Sequence, residues 1–374
     1  MVDAAAMEAG EDPEYLSRQL ITYLGNKRAL LDFIGLGLEA AKRRLSKSRL
    51  SAFDVFSGSG IVSRYLKAHA SLLIANDLER YAEVANSCYL SNRSELDLPA
   101  LREAHSSIIA GLARGPLVPG FISSLYAPAD DRDIKAGERA FYTSRNAAFL
   151  DAARRLISTL PEARRKFFLA PLISEASIHA NTSGVFKGFH KDAGTGLGSF
   201  GGRKGDALAR IKGDIGLPFP VFSRFECETV VMRDEASAAA AKAPEVDLAY
   251  LDPPYNQHPY GSNYFMLNLI ADYEVPSDLS PVSGIPAAWN RSAYNRRREA
   301  SSALASLANS IKAKFLLVSF NSEGFIPFAE MLALLERIGK VETLETDYAA
   351  FRGSRNLRSR NLRVKEFLFL VEKF

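Results

Sequence analysis

The stretch Val246-Asp247-Leu248-Ala249-Tyr250, running on into Leu251-Asp252-Pro253-Pro254-Tyr255, constrains this chain more than any other. Its first residues are mostly apolar, the pattern of a parallel strand buried on both faces. Two prolines then fix φ and remove two amide donors, so the strand must stop there. A carboxylate and an aromatic ring are left at the carboxyl end of a buried strand. In an open α/β sheet, ligands bind at that edge. Ionised Asp252 accepts hydrogen bonds, the prolyl carbonyls accept as well, and Tyr255 offers a flat face. Two acceptors and a ring suit an exocyclic amino group on a planar base. The plainer alternative is a strand-ending turn with Tyr255 as packing, and the rest of the chain has to decide.

A second turn points the same way. Ala52-Phe53-Asp54-Val55-Phe56 reads as a strand, followed by Ser57-Gly58-Ser59-Gly60 and a helix over 61–68. A glycine-rich turn between strand and helix lets a ligand approach the backbone and aims helix N–H groups at it. The signal is weak alone, because Ser63 stands where a third glycine would complete the nucleotide-binding pattern. The next strand, 72–75, ends at Asn76-Asp77, where a nucleotide fold places its ribose-binding acid. Asp54 lies inside an apolar strand and is costly to bury unless paired; it can hold an ammonium. Upstream, Thr22-Tyr23-Leu24-Gly25-Asn26-Lys27 precedes a helix over 28–45; Gly25 and Asn26 permit a turn, and Lys27 can meet an anion. Further strands are expected at 229–232, 315–320 and 364–371, with a crossover helix over 236–243. Together they predict an α/β protein with a Rossmann-like sheet.

Residues 91–224 read as an insertion, with helices predicted over 99–112, 138–160 and 163–180. The segment 184–205 then holds eight of the chain's 25 glycines, together with Lys187, His190, Lys191, Arg203 and Lys204. A long glycine-rich loop in a compact protein is usually functional or disordered. Its basic residues, with Phe186, Phe189 and Phe200, suit a segment that orders on nucleic acid. The loop 258–264 is crowded with aromatic and polar groups, among them Tyr260, Asn263 and Tyr264. From 352 to 365 the chain carries Arg352, Arg355, Arg358, Arg360, Arg363 and Lys365 without one acid. Such a run is often only a solvated face, but clustered charge on a loop can neutralise phosphates.

Composition sets outer bounds. The 374 residues can bury a large core and hold more than one domain. A net charge of +4 is compatible with a nucleic-acid partner without requiring one. No apolar run approaches the roughly 18 residues of a membrane span. The acidic, alanine-rich residues 1–14 lack the basic start and apolar core of a signal peptide and are expected to form a mobile tail. Cys88 and Cys227 are too few for a disulfide framework or a four-thiolate zinc site. His190 has no ligand-spaced partner, so no metal is expected, and the reducing cytoplasm is the expected compartment.

Taken in order, Tyr23-Leu24-Gly25-Asn26-Lys27, Asp54-Val55-Phe56-Ser57-Gly58-Ser59-Gly60, Asp252-Pro253-Pro254-Tyr255 and Ser319-Phe320-Asn321-Ser322-Glu323-Gly324 resemble the motifs of the D12 class of adenine-specific DNA methyltransferases. The resemblance spans about 20–90 and 225–374, and the helices at 138–181 are similar too. It implies S-adenosyl-L-methionine as methyl donor and a flipped-out adenine of double-stranded DNA as acceptor, with Asp252, Pro253, Pro254 and Tyr255 as the catalytic set. It further implies that Tyr23, Lys27, Asp54, Phe56, Gly58 and Gly60 line the methionine side of the donor, that Asp77 binds its ribose and that Asp234 meets its adenine. The catalytic domain is then expected over 15–90 and 225–374, with 91–224 as an inserted recognition region. The expected DNA contacts are Lys187, Lys191, Arg203, Lys204, Tyr260, Asn263, Tyr264, Arg352, Arg355, Arg358 and Arg360. The segment 184–205 follows no pattern of the family, so the target sequence stays open. A restriction-modification enzyme is the expected setting, with a cognate endonuclease acting on the same site without a stable complex. A cytosine-N4 methyltransferase, an RNA or protein-amide methyltransferase and a non-catalytic DNA-binding module remain as alternatives.

Overall fold

The computed structural model describes residues 10–202, 205, 207–349 and 363–374. Seven strands form one sheet: β1 (Leu50–Asp54), β2 (Ala70–Asn76), β3 (Glu228–Met232), β4 (Val246–Leu251), β5 (Ala313–Asn321), β6 (Gly339–Ala349) and β7 (Arg363–Lys373). Their order is β3-β2-β1-β4-β5-β7-β6. The first five are parallel, and β7 runs antiparallel between β5 and β6. This is the expected Rossmann-like α/β architecture.

The mostly apolar β4 is buried along its whole length because helices cover both faces of the sheet. Leu248 and Tyr250 point to one layer, with helix Leu31–Leu45 and the helices of the insertion. Ala249 and Leu251 point to the other, packed against helices Ala236–Lys242, Ala300–Ser310 and Phe328–Glu336. The polar exception, Asp247, sits at the amino end of the strand. Lys47 at 2.7 Å and Lys314 at 3.2 Å compensate its charge. Burial alone would raise its pKa, but these partners and the Ser51 N–H hold it down at about 2.

The chain winds one way from β1 to β2 and the other way from β4 to β5. The crevice between β1 and β4, at their carboxyl ends, is therefore the switch point where such sheets bind ligands. Both turns singled out in the sequence end there.

Several expectations shift. Residues 10–14 are not part of a mobile tail: Glu11 is 7 % exposed and accepts hydrogen bonds from Ser223 Oγ and the Arg224 N–H, which tie the chain to the end of the insertion. The insertion's helices are Leu98–Ala113, Ser144–Ser158 and Glu162–Ile178. The second starts six residues later than predicted because Thr143 caps it, its hydroxyl accepting the Asn146 N–H at 3.2 Å. The apolar face of Glu162–Ile178 joins the same hydrophobic core as the sheet. Phe186 and Phe189 are buried beside Phe141, so they anchor the glycine-rich segment in the core instead of awaiting a nucleic acid. β6 was not foreseen. Among the described residues no helix is long and apolar enough to cross a membrane.

Candidate active site

The turn after β1 is held by the acid after β2. Gly58 and Gly60 have φ of 52° and 76°, a region that side chains resist. A Cβ on Gly58 would stand 3.0 Å from the Tyr23 hydroxyl, and one on Gly60 only 2.6 Å from Asn86 Oδ1. Asp77 accepts the Gly58 N–H on Oδ2 at 2.7 Å and the Glu79 N–H on Oδ1 at 2.9 Å. The expected ribose ligand thus also fastens the glycine turn.

Three tyrosines stitch the amino-terminal motif to the loop after Tyr255. The rings of Tyr23, Tyr260 and Tyr264 pack mutually, nearly parallel, with centroids 4.9, 4.8 and 5.9 Å apart. The Tyr264 hydroxyl accepts the Leu24 N–H at 2.7 Å, and the Tyr260 hydroxyl donates to the Leu24 carbonyl at 3.1 Å. Tyr264 and Asn263 are 0 % and 1 % exposed. They have no surface to offer a duplex, which corrects their assignment as DNA contacts: Tyr264 is core packing, whereas the half-buried Tyr260 faces the cleft.

The carboxylates are arranged differently from the expectation. Lys27 was expected against the donor. Instead its buried Nζ lies 3.3 Å from Asp252 Oδ1 and 3.4 Å from Glu366 Oε2, over the Tyr255 ring. Burial alone would lower its pKa, but Asp252 and Glu366 outweigh it and hold Lys27 well above its ordinary value, so it is a cation. Asp252 is pushed up to about 6 by burial, with Lys27 pulling down and Glu366 pushing up. Asp54 was expected to hold an ammonium. It accepts the Ser63 hydroxyl at 2.6 Å, and its Oδ1 has no hydrogen-bond partner among the described residues. Burial raises it to about 7, opposed by Ser63 and assisted by Asp252.

A cleft of about 700 Å³, open mouth included, fills the crevice. Of the residues expected at the site, Tyr23, Phe56, Asp77, Asp234, Asp252, Pro254 and Tyr260 line it, whereas Lys27, Asp54, Gly58, Gly60, Pro253 and Tyr255 do not. Its acids are Asp77, Glu79, Asp234, Glu235 and Asp252, and among the described residues no lysine, arginine or histidine lines it. Such a wall favours a cationic occupant. Phe56 and Tyr294, edge to face at 5.0 Å, add an aromatic side suited to a planar ring.

Sequence reasoning missed Glu79 and the segment that covers it. Glu79 accepts Asn268 Nδ2 at 2.6 Å and Asn290 Nδ2 at 3.2 Å, and burial pushes it up to about 7. Asn290, Ser292, Tyr294 and Asn295 line the cleft. Beside them Arg291, Arg296, Arg297 and Arg298 are exposed, Arg291 stacked over Trp289 at 4.4 Å and Arg296 paired with Glu299. The polar and aromatic mixture of 289–298 was the available signal. Lys187 and Lys191 are exposed away from the cleft lining. Arg203, Lys204, Arg352, Arg355, Arg358 and Arg360 lie outside the described residues.

Comparison with known proteins agrees with this geometry. The D12 class N6 adenine-specific DNA methyltransferase family matches residues 23–192 and 221–282, which include the glycine turn, the Asp252 turn and most of the insertion. The chain is similar to the Type II methyltransferase M.CviAII of Paramecium bursaria Chlorella virus 1, with 28 % identity over 94 % of this chain and 98 % of the relative. It is 27 % identical to the Type II methyltransferase M.NlaIII of Neisseria lactamica over 94 % of this chain and 99 % of the relative. Against the Modification methylase StsI of Streptococcus sanguinis it is 24 % identical, covering 94 % of this chain and 52 % of that longer protein.

Proposed function

The chain belongs to the D12 class of N6 adenine-specific DNA methyltransferases, and from that premise we propose that it methylates a flipped-out adenine within a specific duplex site, with S-adenosyl-L-methionine as the donor. The observation that carries the choice of donor is the acid-lined cleft, with no basic residue among the described residues that line it, ending at Asp252 and Pro254. When bound, the donor supplies a methyl group already activated on a cationic sulfonium. The protein's own work is then placement and electrostatics. Asp77 and Glu79 offer acceptors for ribose hydroxyls, Phe56 and Tyr294 an apolar wall for the purine, and Asp234 an acceptor at its edge.

The adenine amino nitrogen is a weak nucleophile because its lone pair is delocalised into the ring. Hydrogen bonds from its two N–H groups to the Asp252 carboxylate and the Pro253 carbonyl draw it toward a pyramidal geometry and free that lone pair. Tyr255 stacks on the flipped base, offsetting part of the unstacking cost of a few kcal/mol. On methylation the nitrogen sheds a proton, for which Asp252 is the nearest acceptor.

Exposed arginines of the rim, Arg291 and Arg296 to Arg298, together with the run Arg352, Arg355, Arg358 and Arg360, hold phosphates, while Lys187, Lys191, Arg203 and Lys204 contribute to sequence choice. Two of the relatives are called Type II methyltransferases and a third a modification methylase. On that basis this chain serves as the modification enzyme of a restriction-modification system in the cytoplasm, its endonuclease recognising the same site without a stable complex. Calorimetric titration with S-adenosyl-L-methionine tests the reading: saturable binding is expected, and a folded protein that binds none is a silent DNA-binding module instead.

A further inference from the structure

β7 carries a buried carboxylate that the reaction above does not use. Glu366 is 2 % exposed, between the core residues Val364, Phe367 and Leu368. A carboxylate in such surroundings is costly unless a charge meets it. That charge is Lys27, whose ammonium is shared between Glu366 and Asp252 at nearly equal distances of 3.4 and 3.3 Å. The sharing is uneven in kind. Lys27 donates a hydrogen bond to Glu366 Oε2, whereas Asp252 Oδ1, though within ion-pair range, has no hydrogen-bond partner among the described residues.

Resting on the reading of Asp252 as acceptor for the adenine amino group, we propose that Glu366 is a positioning residue of the methyl-transfer site: it draws the Lys27 ammonium aside so that Asp252 keeps an oxygen free for the base. The physics is a competition between two anions for one cation. Both carboxylates stand in a poorly solvated pocket, where the attraction is stronger than in water. With Glu366 neutral, Lys27 has one carboxylate left and closes on it. Asp252 then spends its acceptor on Lys27. The remaining titratable groups facing the pair are Asp54, Tyr250, Tyr255 and Tyr260. Of these, burial holds Tyr250 and Tyr260 well above the ordinary phenol range, so they stay neutral. Among the described residues Asp54 is the one further carboxylate; burial and Asp252 raise it to about 7, so it is largely neutral through the acid limb, and neither variant changes it.

The test is a pH profile of methyl transfer to unmethylated mixed-sequence DNA by wild type, Glu366→Gln, Lys27→Met and the double variant, with donor binding by calorimetry as the check on folding. Glu366→Gln should lower kcat roughly ten- to a hundredfold, as expected for one charge-assisted hydrogen bond, and leave donor affinity unchanged. Its acid limb should move below that of wild type, because the charge that raises Asp252 is gone while Lys27 remains. In the double variant, Glu366→Gln should cost no further kcat above the acid limb beyond Lys27→Met, since its effect on the base runs through Lys27; its direct charge on Asp252 still lowers the limb. An unmoved acid limb with unchanged kcat, or additive losses, overturns the proposal and leaves Glu366 a structural counter-ion. A wild type that binds the donor but transfers no methyl group overturns the reading of the site, and this proposal with it. Should Glu366→Gln not fold, Glu366→Asp withdraws the charge by one methylene and is read in the same way.

Discussion

Asp252 is a strong, charge-assisted acceptor for an amino group, and an acceptor for its proton, only while ionised, and its neighbours pull on that ionisation from both sides. Burial and Glu366 push it up to about 6, while Lys27 pulls it down. Turnover should therefore fall as the pH drops through about 6, since below that value the carboxyl is neutral. A kcat profile that stays flat from pH 8 to pH 5 would contradict this. Asp252→Ala should lower methyl transfer at least about a hundredfold, the scale of losing a preorganised transition-state contact, yet still bind the donor, because the other acids of the cleft remain. Near-normal turnover in the folded variant would remove Asp252 from the mechanism. Asp77 has two tasks, as it holds the Gly58 and Glu79 N–H groups and also faces the cleft. Asp77→Ala should weaken donor binding by at least about 1.5–3 kcal/mol, the value of one hydrogen bond to a charged group; unchanged affinity in calorimetry would show that it is misplaced.

The inner strands were the easiest to read from sequence, because their burial is symmetrical. β1, β2, β4 and β5 sit between two helical layers, so their apolar runs are short, continuous and followed by turn residues. β6 escaped because its sequence shows no strand period: Lys340, Glu342 and Glu345 are interspersed irregularly with Val341 and Leu344, and among the described residues it pairs with β7 alone. The stretch 258–264 was misread for the opposite reason. Its tyrosines look like a binding loop, but three-ring stacking with Tyr23 buries Tyr264 completely. Local pattern cannot tell a ring that stacks on a base from one that stacks on another tyrosine. At the glycine turn the sequence reading was direct, because positive φ and a crowded Cβ are both written into the residue type. Gly60→Ala should destabilise the protein by about 1–3 kcal/mol, since Asn86 is held in place by hydrogen bonds to Ser57 and Ala82 and cannot step aside. An unchanged denaturation midpoint would contradict the role given to that glycine.

At the scale of the whole molecule, the site joins residues from the two ends of the chain. Lys27 and Glu366 meet because β7 turns back antiparallel beside β5, and nothing in the spacing of the sequence announces that contact. The motifs were legible; the ion network behind them was not. The network has a consequence for pH. Asp54, Glu79 and Asp252 are all raised by burial, to about 7, 7 and 6, so the folded protein holds protons that the unfolded chain has released. Stability without donor should therefore fall as the pH rises from about 5 to 8. A cationic donor reverses that cost, so its affinity should increase over the same range, with protons released on binding. Affinity that declines with rising pH would mean that the cleft takes an anion. The central claim, that this chain places a methyl group on the amino nitrogen of adenine, is tested most directly by incubating the protein with methyl-labelled S-adenosyl-L-methionine and unmethylated DNA, digesting the product to nucleosides and identifying the labelled one by mass. Label in N6-methyl-2′-deoxyadenosine alone is the predicted result; label in N4-methyl-2′-deoxycytidine, or in no nucleoside at all, would contradict it.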